Sequence, residues 1–214
     1  METEPKGPDL DSVQNSTTGE EFRAALRTVF LDRDGVLNRK LPEDQYVTGW
    51  KYFELLPGVP EAIAQLNQAG LRVLVVTNQR GIALGLYTAA DVEHIHSQLQ
   101  AVLAKSGAHI DGFYFCPHDK QQCNCRKPLP GLFEQAQVQF PEIESATSLV
   151  IGDSLSDIEF GRNLDLTTVF IEGDPDRQKT GATRASALAD LSFSSLPEAV
   201  NYLLKQTRRN SALS

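Results

Sequence analysis

Residues 28–35 read Thr-Val-Phe-Leu-Asp-Arg-Asp-Gly, and this stretch predicts a buried strand that is followed by a polar turn. Its first four residues form an apolar, partly β-branched run that stops at Asp32, which is typical of a buried parallel strand. Asp32 and Asp34 then stand two residues apart, so both carboxylates can face one ligand, and Gly35 permits the sharp turn that follows. Taken alone, these residues are explained about equally well as a solvated, Asp-rich turn.

Strands and helices alternate outward from this run. Further strands are predicted from short apolar runs at 71–77, 110–115, 148–151 and 167–171. Helices are predicted at 59–69, from a Thr88 cap to a Gly107 stop with Asp91 completing the capping box, at 129–140, at 155–163, and from a Ser195–Glu198 cap to about residue 205. The alternation predicts an α/β fold, a Rossmann-like parallel sheet with helices on both faces.

The 214 residues, 41% of them hydrophobic, suffice for one domain with a real core. We expect a flexible, polar leader over residues 1–22 and the folded domain over residues 23–207. The leader has no apolar block and no arginine, which argues against a secretory signal or a transit peptide. No apolar run approaches the ~20 residues that span a bilayer. A cytoplasmic, monomeric protein without a membrane partner is expected.

The formal net charge of −8 argues against a general nucleic-acid footprint. A small phosphorylated substrate remains compatible with this charge, because its site needs only a local cluster of cations or a bound metal.

Two cationic motifs could bind such a substrate. Thr77, Asn78 and Gln79 offer neutral donors at a strand end and Arg80 adds charge, although a polar loop explains these residues better when they are considered alone. Lys127 can neutralise a phosphoryl group while Arg126 forks onto a second anion, the alternative being an exposed basic pair.

Asp153 follows an apolar strand and precedes a helix, a position that suits a magnesium ligand. An ordinary N-cap explains it as well. Asp157, one helical turn further on, could orient Lys127 or a metal-bound water, or be a plain first-turn acid.

All three cysteines lie within ten residues, together with one histidine. Cys116, His118, Cys123 and Cys125 supply the four ligands of a tetrahedral zinc site. Because all four ligands come from protein, the zinc would be structural and would clamp a polar loop beside Arg126 and Lys127. The alternative is a group of free thiols without metal.

The ordered set of Asp32-x-Asp34-Gly35, Thr77, Lys127 and Gly152-Asp153 resembles the haloacid dehalogenase superfamily of phosphatases. The resemblance runs from about Thr28 to Phe170. The segments at 30–38 and 77–83, with the Cys-Pro-His…Cys-x-Cys-Arg-Lys-Pro loop, look like its group of D-glycero-D-manno-heptose 1,7-bisphosphate 7-phosphatases and histidinol-phosphatases.

The resemblance implies roles for individual residues. Asp32 would be the nucleophile, Asp34 the proton donor and then the base, and Thr77 and Lys127 the groups that bind phosphoryl oxygens. Mg²⁺ would be held by the Asp32 side chain, the Asp34 carbonyl and Asp153. The implied substrate contacts are Asn38, Tyr46, Asn78, Gln79, Arg80, Arg126 and position 154. A zinc-bound loop would shape the pocket in place of a large cap domain.

Two departures bear on the substrate. Position 154 is Ser154, where the heptose branch typically carries Lys, and the His118–Cys123 gap is short, as in the histidinol-phosphatase branch. The Asn38…Tyr46 loop and the Gly-rich run at 81–85 are closer to the heptose branch. We therefore predict a Mg²⁺-dependent heptose bisphosphate 7-phosphatase, which would supply heptose for cell-surface polysaccharide. Histidinol-phosphate phosphatase and a catalytically silent, zinc-stabilised binding module are the alternatives.

Overall fold

The computed structural model describes residues 25–42, 44–178 and 180–210, without the side chains of 206–210. The expected leader, residues 1–22, lies outside the described residues.

Strands and helices alternate along the described chain. The strands are β1 (Thr28–Leu31), β2 (Arg72–Asn78), β3 (Gly112–Cys116), β4 (Ser148–Gly152), β5 (Thr167–Ile171) and β6 (Leu191–Phe193). The α-helices are α1 (Val59–Gln68), α2 (Ala89–Ala104), α3 (Gly131–Gln139), α4 (Leu155–Asn163), α5 (Ala182–Leu188) and α6 (Leu196–Asn210). Single 3-10 turns lie at Trp50–Tyr52, Ser145–Thr147 and Pro175–Arg177. The strands form one parallel sheet in the order β3-β2-β1-β4-β5-β6.

The central strand β1 is apolar throughout because both faces of the sheet are covered. Val29 and Leu31 point to one face, into a core shared with α1, α2 and α6. Phe30 points to the other face, where it packs with side chains of α3 and α4. All three residues are fully buried, so each residue of the run contributes apolar burial.

The strand order reverses at β1, and this reversal positions the site. The chain runs from β1 through β2 to β3 on one side, and then returns to place β4 on the other side of β1. Leu31 is paired with Ile151, so the chain leaves β1 and β4 at the same edge of the sheet. Open α/β sheets bind ligands at such a switch point, beyond the carboxyl ends of the strands.

The predicted fold class is confirmed, but α5 and β6 were missed. The three-residue β6, Leu-Ser-Phe, has no buried residue, and its apolar-polar alternation is too short to predict a strand. β3 also begins later than predicted, at Gly112. The backbone N–H of Val73 donates to the side-chain carboxylate of Asp111 at 2.8 Å, and this hydrogen bond replaces the backbone bond that a longer β3 would make there.

No large cap interrupts the domain in the part that the structure describes. Between β1 and α1 the described residues contain one 3-10 turn and two isolated bridges, at Asp34–Asn38 and Asn38–Leu55. Across the described ranges, no helix has the length and apolar character required to traverse a bilayer.

Candidate active site

Lys127 joins the ends of three elements at the switch point. Its ammonium Nζ lies 2.9 Å from Oδ1 of Asp32, directly beyond β1. The same ammonium lies 2.5 Å from Oδ1 of Asp157 in α4, and it donates to the carbonyl of Val76 in β2 at 2.6 Å. Lys127 is 3% exposed and Asp32 is 7% exposed, so these charges interact with little screening.

Burial and neighbouring charge set the ionisation of this pair. Burial raises the pKa of Asp32 and the charge of Asp157 raises it further, while Lys127 opposes them. Burial alone would lower the pKa of Lys127, but the carboxylates of Asp157 and Asp32 outweigh it and raise that pKa. Lys127 is therefore a permanent cation beside a poorly solvated carboxylate.

Asp157 has both of the roles that the sequence left as alternatives. Besides pairing with Lys127, it completes a capping box: its Oδ2 accepts from the backbone N–H of Ser154 at 3.0 Å and from the Ser154 hydroxyl at 2.5 Å. Gly152 makes room for it, because a Cβ at this position would lie 2.2 Å from the Cβ of Asp157.

The carboxylates fit a hard divalent cation. One oxygen each from Asp32, Asp153 and Asp157 lie within 4.8 Å of one another, and oxygen ligands are those that Mg²⁺ prefers. Gly35 leaves the space that this arrangement needs, because a Cβ on it would lie 2.0 Å from Oδ2 of Asp153. Its φ of +100° also favours glycine.

Asp34 is held in a polar network behind the site. The buried guanidinium of Arg33 folds back onto it, with Nη2 2.9 Å from Oδ2. The amides of Asn38 and Gln79 donate to the same carboxylate at 3.0 and 3.1 Å. Burial would raise the pKa of Asp34, but the charge of Arg33 and these hydrogen bonds together lower it. Asp34 is therefore ionised at neutral pH.

Besides Asn38, which donates to Asp34, three residues implied as substrate contacts also make structural contacts. Both polar atoms of the Asn78 amide bond the backbone of Lys127, at 3.0 and 3.1 Å. Gln79 is 2% exposed and links Arg33, Asp34, Thr77 and the Tyr87 hydroxyl. Ser154 likewise caps α4 and is 6% exposed. A resemblance places a residue near the substrate but does not show which way its side chain turns.

The cations at the rim of the site are partly compensated. Arg80 pairs with Asp119, Nε to Oδ1, at 2.5 Å. The hydrogen bond from Arg80 lowers the pKa of Asp119, and the charge of Arg126 adds a smaller effect. Arg126 is half-buried, and its Nη1 has no hydrogen-bond partner among the described residues. Tyr46 packs beside Tyr87 with ring centroids 6.3 Å apart. Arg126 is thus the less compensated of the two arginines.

The cysteine cluster has the dimensions of a zinc site. Cys116, His118, Cys123 and Cys125 bring their ligand atoms within 4.8 Å of one another, and four of the six pairs are 3.3 to 3.8 Å apart. A tetrahedral zinc with Zn–S bonds of about 2.3 Å separates its sulfurs by about 3.8 Å. Two of the sulfur–sulfur distances, 3.5 and 3.3 Å, are slightly shorter than this value, so the four residues could hold one Zn²⁺ after small side-chain adjustments.

Comparisons with known proteins agree with this geometry. The family model described as "Polynucleotide kinase 3 phosphatase" matches residues 29–197. The D-glycero-alpha-D-manno-heptose-1,7-bisphosphate 7-phosphatase of Mycobacterium tuberculosis is 44% identical over 171 residues, which are 79% of this chain and 87% of that protein. The chain belongs to the haloacid dehalogenase superfamily of phosphatases.

Further members of this superfamily are similar in sequence or in structure. The D-glycero-beta-D-manno-heptose-1,7-bisphosphate 7-phosphatase of Pseudomonas aeruginosa is 37% identical over 67% of this chain and 80% of its own length. The D,D-heptose 1,7-bisphosphate phosphatase of B. bronchiseptica, solved with magnesium and phosphate, superposes with a TM-score of 0.76. It is 30% identical, and the match covers 85% of this chain and 99% of that one.

Sequence reasoning missed several polar residues of this haloacid dehalogenase phosphatase. They are Arg33, Lys40, Tyr87 and Asp119, which contact Asp34, Asp153, Gln79 and Arg80 in turn. Two of them carried a usable signal: Arg33 stands between the paired aspartates, and Asp119 follows a predicted zinc ligand. Lys40 carried none, because its partner lies 113 residues away in the chain.

Proposed function

We propose that this chain is a Mg²⁺-dependent phosphatase that hydrolyses D-glycero-D-manno-heptose 1,7-bisphosphate at the 7-phosphate, through a phosphorylated Asp32. The observation that carries this proposal is the position of Asp32: its carboxylate lies 2.9 Å from the ammonium of Lys127 and within a cluster of metal-binding carboxylates. A carboxylate that lies beside the ammonium of Lys127 and beside a bound divalent metal ion would be able to attack phosphorus as a nucleophile, because both positive charges offset its repulsion from the phosphate.

Asp32 would attack the 7-phosphate and form an aspartyl-phosphate while the sugar oxygen leaves. Lys127 would neutralise charge on the transferred phosphoryl group. Thr77 accepts a hydrogen bond from Gln79 at 2.9 Å, which leaves its own O–H to donate to a phosphoryl oxygen. A bound Mg²⁺, held by Asp32, Asp153 and the Asp34 carbonyl, supplies positive charge that offsets the repulsion between phosphate and carboxylate.

Asp34 would move the protons. Its lowered pKa keeps it ionised at neutral pH, so its carboxylate would be available to accept a proton from the water that hydrolyses the aspartyl-phosphate. To protonate the leaving oxygen in the first step it must gain a proton, and the negative charge of the incoming phosphate raises its pKa in that direction.

The second phosphate of the substrate gives a reason to favour the bisphosphate. Nη1 of Arg126 is buried and has no hydrogen-bond partner among the described residues, so it would be able to donate to the second phosphate. We propose a structural Zn²⁺ on Cys116, His118, Cys123 and Cys125, which would hold Arg126 in place. The 44% identity to relatives named for the alpha anomer, against 37% for a relative named for the beta anomer, favours the alpha anomer as substrate.

A substrate panel with Mg²⁺ tests the proposal. The panel contains both anomers of the heptose bisphosphate, histidinol phosphate, p-nitrophenyl phosphate and a 3′-phosphorylated oligonucleotide, with Asp32→Asn as the control for contaminants. The alpha bisphosphate should give the highest kcat/KM, about 100-fold above histidinol phosphate. The heptose assignment fails if histidinol phosphate is the better substrate, and turnover by Asp32→Asn would refute the proposed nucleophile.

A further inference from the structure

Lys40 reaches the metal-binding carboxylates from the loop after β1. Its ammonium pairs with Oδ2 of Asp153, and the two side chains are 9% and 7% exposed. A buried ion pair needs a compensating role, because withdrawing two charges from water is costly. The catalytic scheme above gives Lys40 none, since Lys127 already serves the phosphoryl group.

The two lysines divide the carboxylate cluster between them. Lys127 pairs with Asp32 and Asp157, while Lys40 pairs with Asp153. A divalent cation bound by Asp153 would lie next to the ammonium of Lys40. Two neighbouring positive charges repel each other strongly in a buried site. Lys40 and the metal therefore compete for one carboxylate.

The fold provides a place for the displaced side chain. A cavity of about 360 Å³ lies beside the pair, and its wall includes Lys40, Asp153 and Arg177. The backbone of Lys40 is anchored separately, because the guanidinium of Arg177 donates to its carbonyl at 3.0 Å. The ammonium can thus swing into the cavity while the loop stays in position.

We propose that Lys40 is a displaceable internal counter-ion, which neutralises Asp153 in the metal-free enzyme and yields that carboxylate when Mg²⁺ binds. This proposal rests on the proposed magnesium site. The ion pair stabilises the metal-free form, and the free energy needed to break the pair on metal binding lowers the apparent affinity of the wild-type protein for the metal.

Calorimetric titration with Mg²⁺ alone measures this competition directly. Lys40→Met, which removes the charge and keeps an unbranched side chain only one atom shorter, should bind Mg²⁺ at least about tenfold more tightly than the wild-type protein. Lys51→Met is the matched control, because Lys51 is exposed and its ammonium lies over the Tyr52 ring, 4.6 Å from its centroid. Equal affinities of the Lys40→Met and wild-type proteins, within about twofold, would overturn the proposal.

Thermal unfolding separates a counter-ion from a structural clamp. In EDTA, Lys40→Met should unfold at a lower temperature than wild type, because the buried carboxylate of Asp153 then loses the ammonium that pairs with it. Saturating Mg²⁺ should remove this difference. A loss of the same size in both conditions would mean that Lys40 only supports the fold. If the wild-type protein binds no Mg²⁺, the proposed metal site fails together with this inference, whereas unchanged binding by Lys40→Met defeats the inference alone.

Discussion

Lys127 and Asp157 form an ion pair of 2.5 Å in which both side chains are 1% exposed. The pair connects the loop after the zinc-ligand cluster to the first turn of α4, so the position of the ammonium depends on an acid that lies one helical turn from Asp153. In the proposed mechanism, Asp157 would act on the reaction through Lys127, as a positioning residue.

Asp157→Asn should lower kcat about 100-fold, because a displaced ammonium no longer faces the phosphoryl group. Ser154→Ala is the matched comparison, since it removes only the hydroxyl that donates to Asp157 at 2.5 Å. It should cost about 1 kcal/mol of unfolding free energy and leave kcat nearly unchanged. Steady-state kinetics and urea unfolding of both variants decide the matter; similar losses of kcat would show that the capping contact, and not the ion pair, is what counts.

Asp32→Asn should abolish turnover and also stabilise the metal-free protein. The pKa of Asp32 is raised above its ordinary value of 3.8, so folded-state stability is lost as the pH rises through that raised pKa and the carboxylate ionises. A neutral amide avoids this loss, and we expect a gain of about 1 kcal/mol, or roughly 2–4 °C in Tm, at neutral pH in EDTA. An unchanged or lower Tm would contradict the assignment of desolvation as the dominant effect.

Gly35→Ala should eliminate the response to magnesium. The added methyl would collide with Oδ2 of Asp153 and must also adopt a φ of +100°. Gly70→Ala provides the control, because its φ of +76° imposes backbone strain but nothing lies within 4 Å of the added Cβ. Both variants should lose stability, by about 1–3 kcal/mol, but only Gly35→Ala should lose the rise in Tm that Mg²⁺ produces. A normal Mg²⁺ response in Gly35→Ala would disprove the close fit to Asp153.

Cys123→Ser should release zinc and weaken catalysis indirectly. Elemental analysis of the wild-type protein should find about one zinc per chain, as a Cys₃His site binds one ion. The variant should show a lower Tm and a lower kcat/KM, because the loop that carries Arg126 and Lys127 loses its clamp. A zinc-free wild-type protein of normal stability would remove the clamp without affecting the assignment of Asp32.

His96 should make the fold sensitive to acid. Burial lowers its pKa from 6.5 to about 3, with a smaller effect from the charge of Arg33. Below pH 6.5 the imidazole of His96 is therefore protonated in the unfolded chain but stays neutral in the folded chain. The free energy of unfolding then decreases by up to about 1.4 kcal/mol for each unit by which the pH is lowered. His96→Leu should flatten this dependence in urea unfolding between about pH 7.5 and about pH 5.5. His94→Leu, at an exposed position on the same helix, should retain it; equal slopes in the two variants would exclude His96 as the source.

The residues that lie directly at strand ends were predictable from sequence. Asp32 follows β1, Cys116 ends β3 and Asp153 follows β4, and parallel strands bring such positions to one edge. The other three candidate zinc ligands, His118, Cys123 and Cys125, were predictable because all three cysteines and one histidine lie within ten residues. The capping box of Thr88 and Asp91 was also predictable, because it is a local pattern, and the structure contains it.

The remainder depends on contacts that no local pattern encodes. The position of Lys40 is set by a partner 113 residues away. The side chain of Gln79 turns inward because its amide accepts hydrogen bonds from Arg33 and Tyr87 and donates one to Asp34. Segments such as β6 are held by pairing to β5 and not by their own composition. These features depend on contacts between distant parts of the chain, and a short stretch of sequence does not reveal them.

The hydrogen bond from buried Arg33 to Gln79, 3.2 Å long, joins the loop after β1 to the loop after β2. Any attempt to redesign substrate range therefore has two kinds of position available. A single substitution in the buried network around Arg33, Asp34 and Gln79 should be destabilising, because it leaves the charge or the amide of a neighbouring residue without its hydrogen bond. Diversity libraries should instead be confined to outer positions such as Tyr46, Arg80 and Arg126, where new side chains can alter selectivity without dismantling the reacting centre.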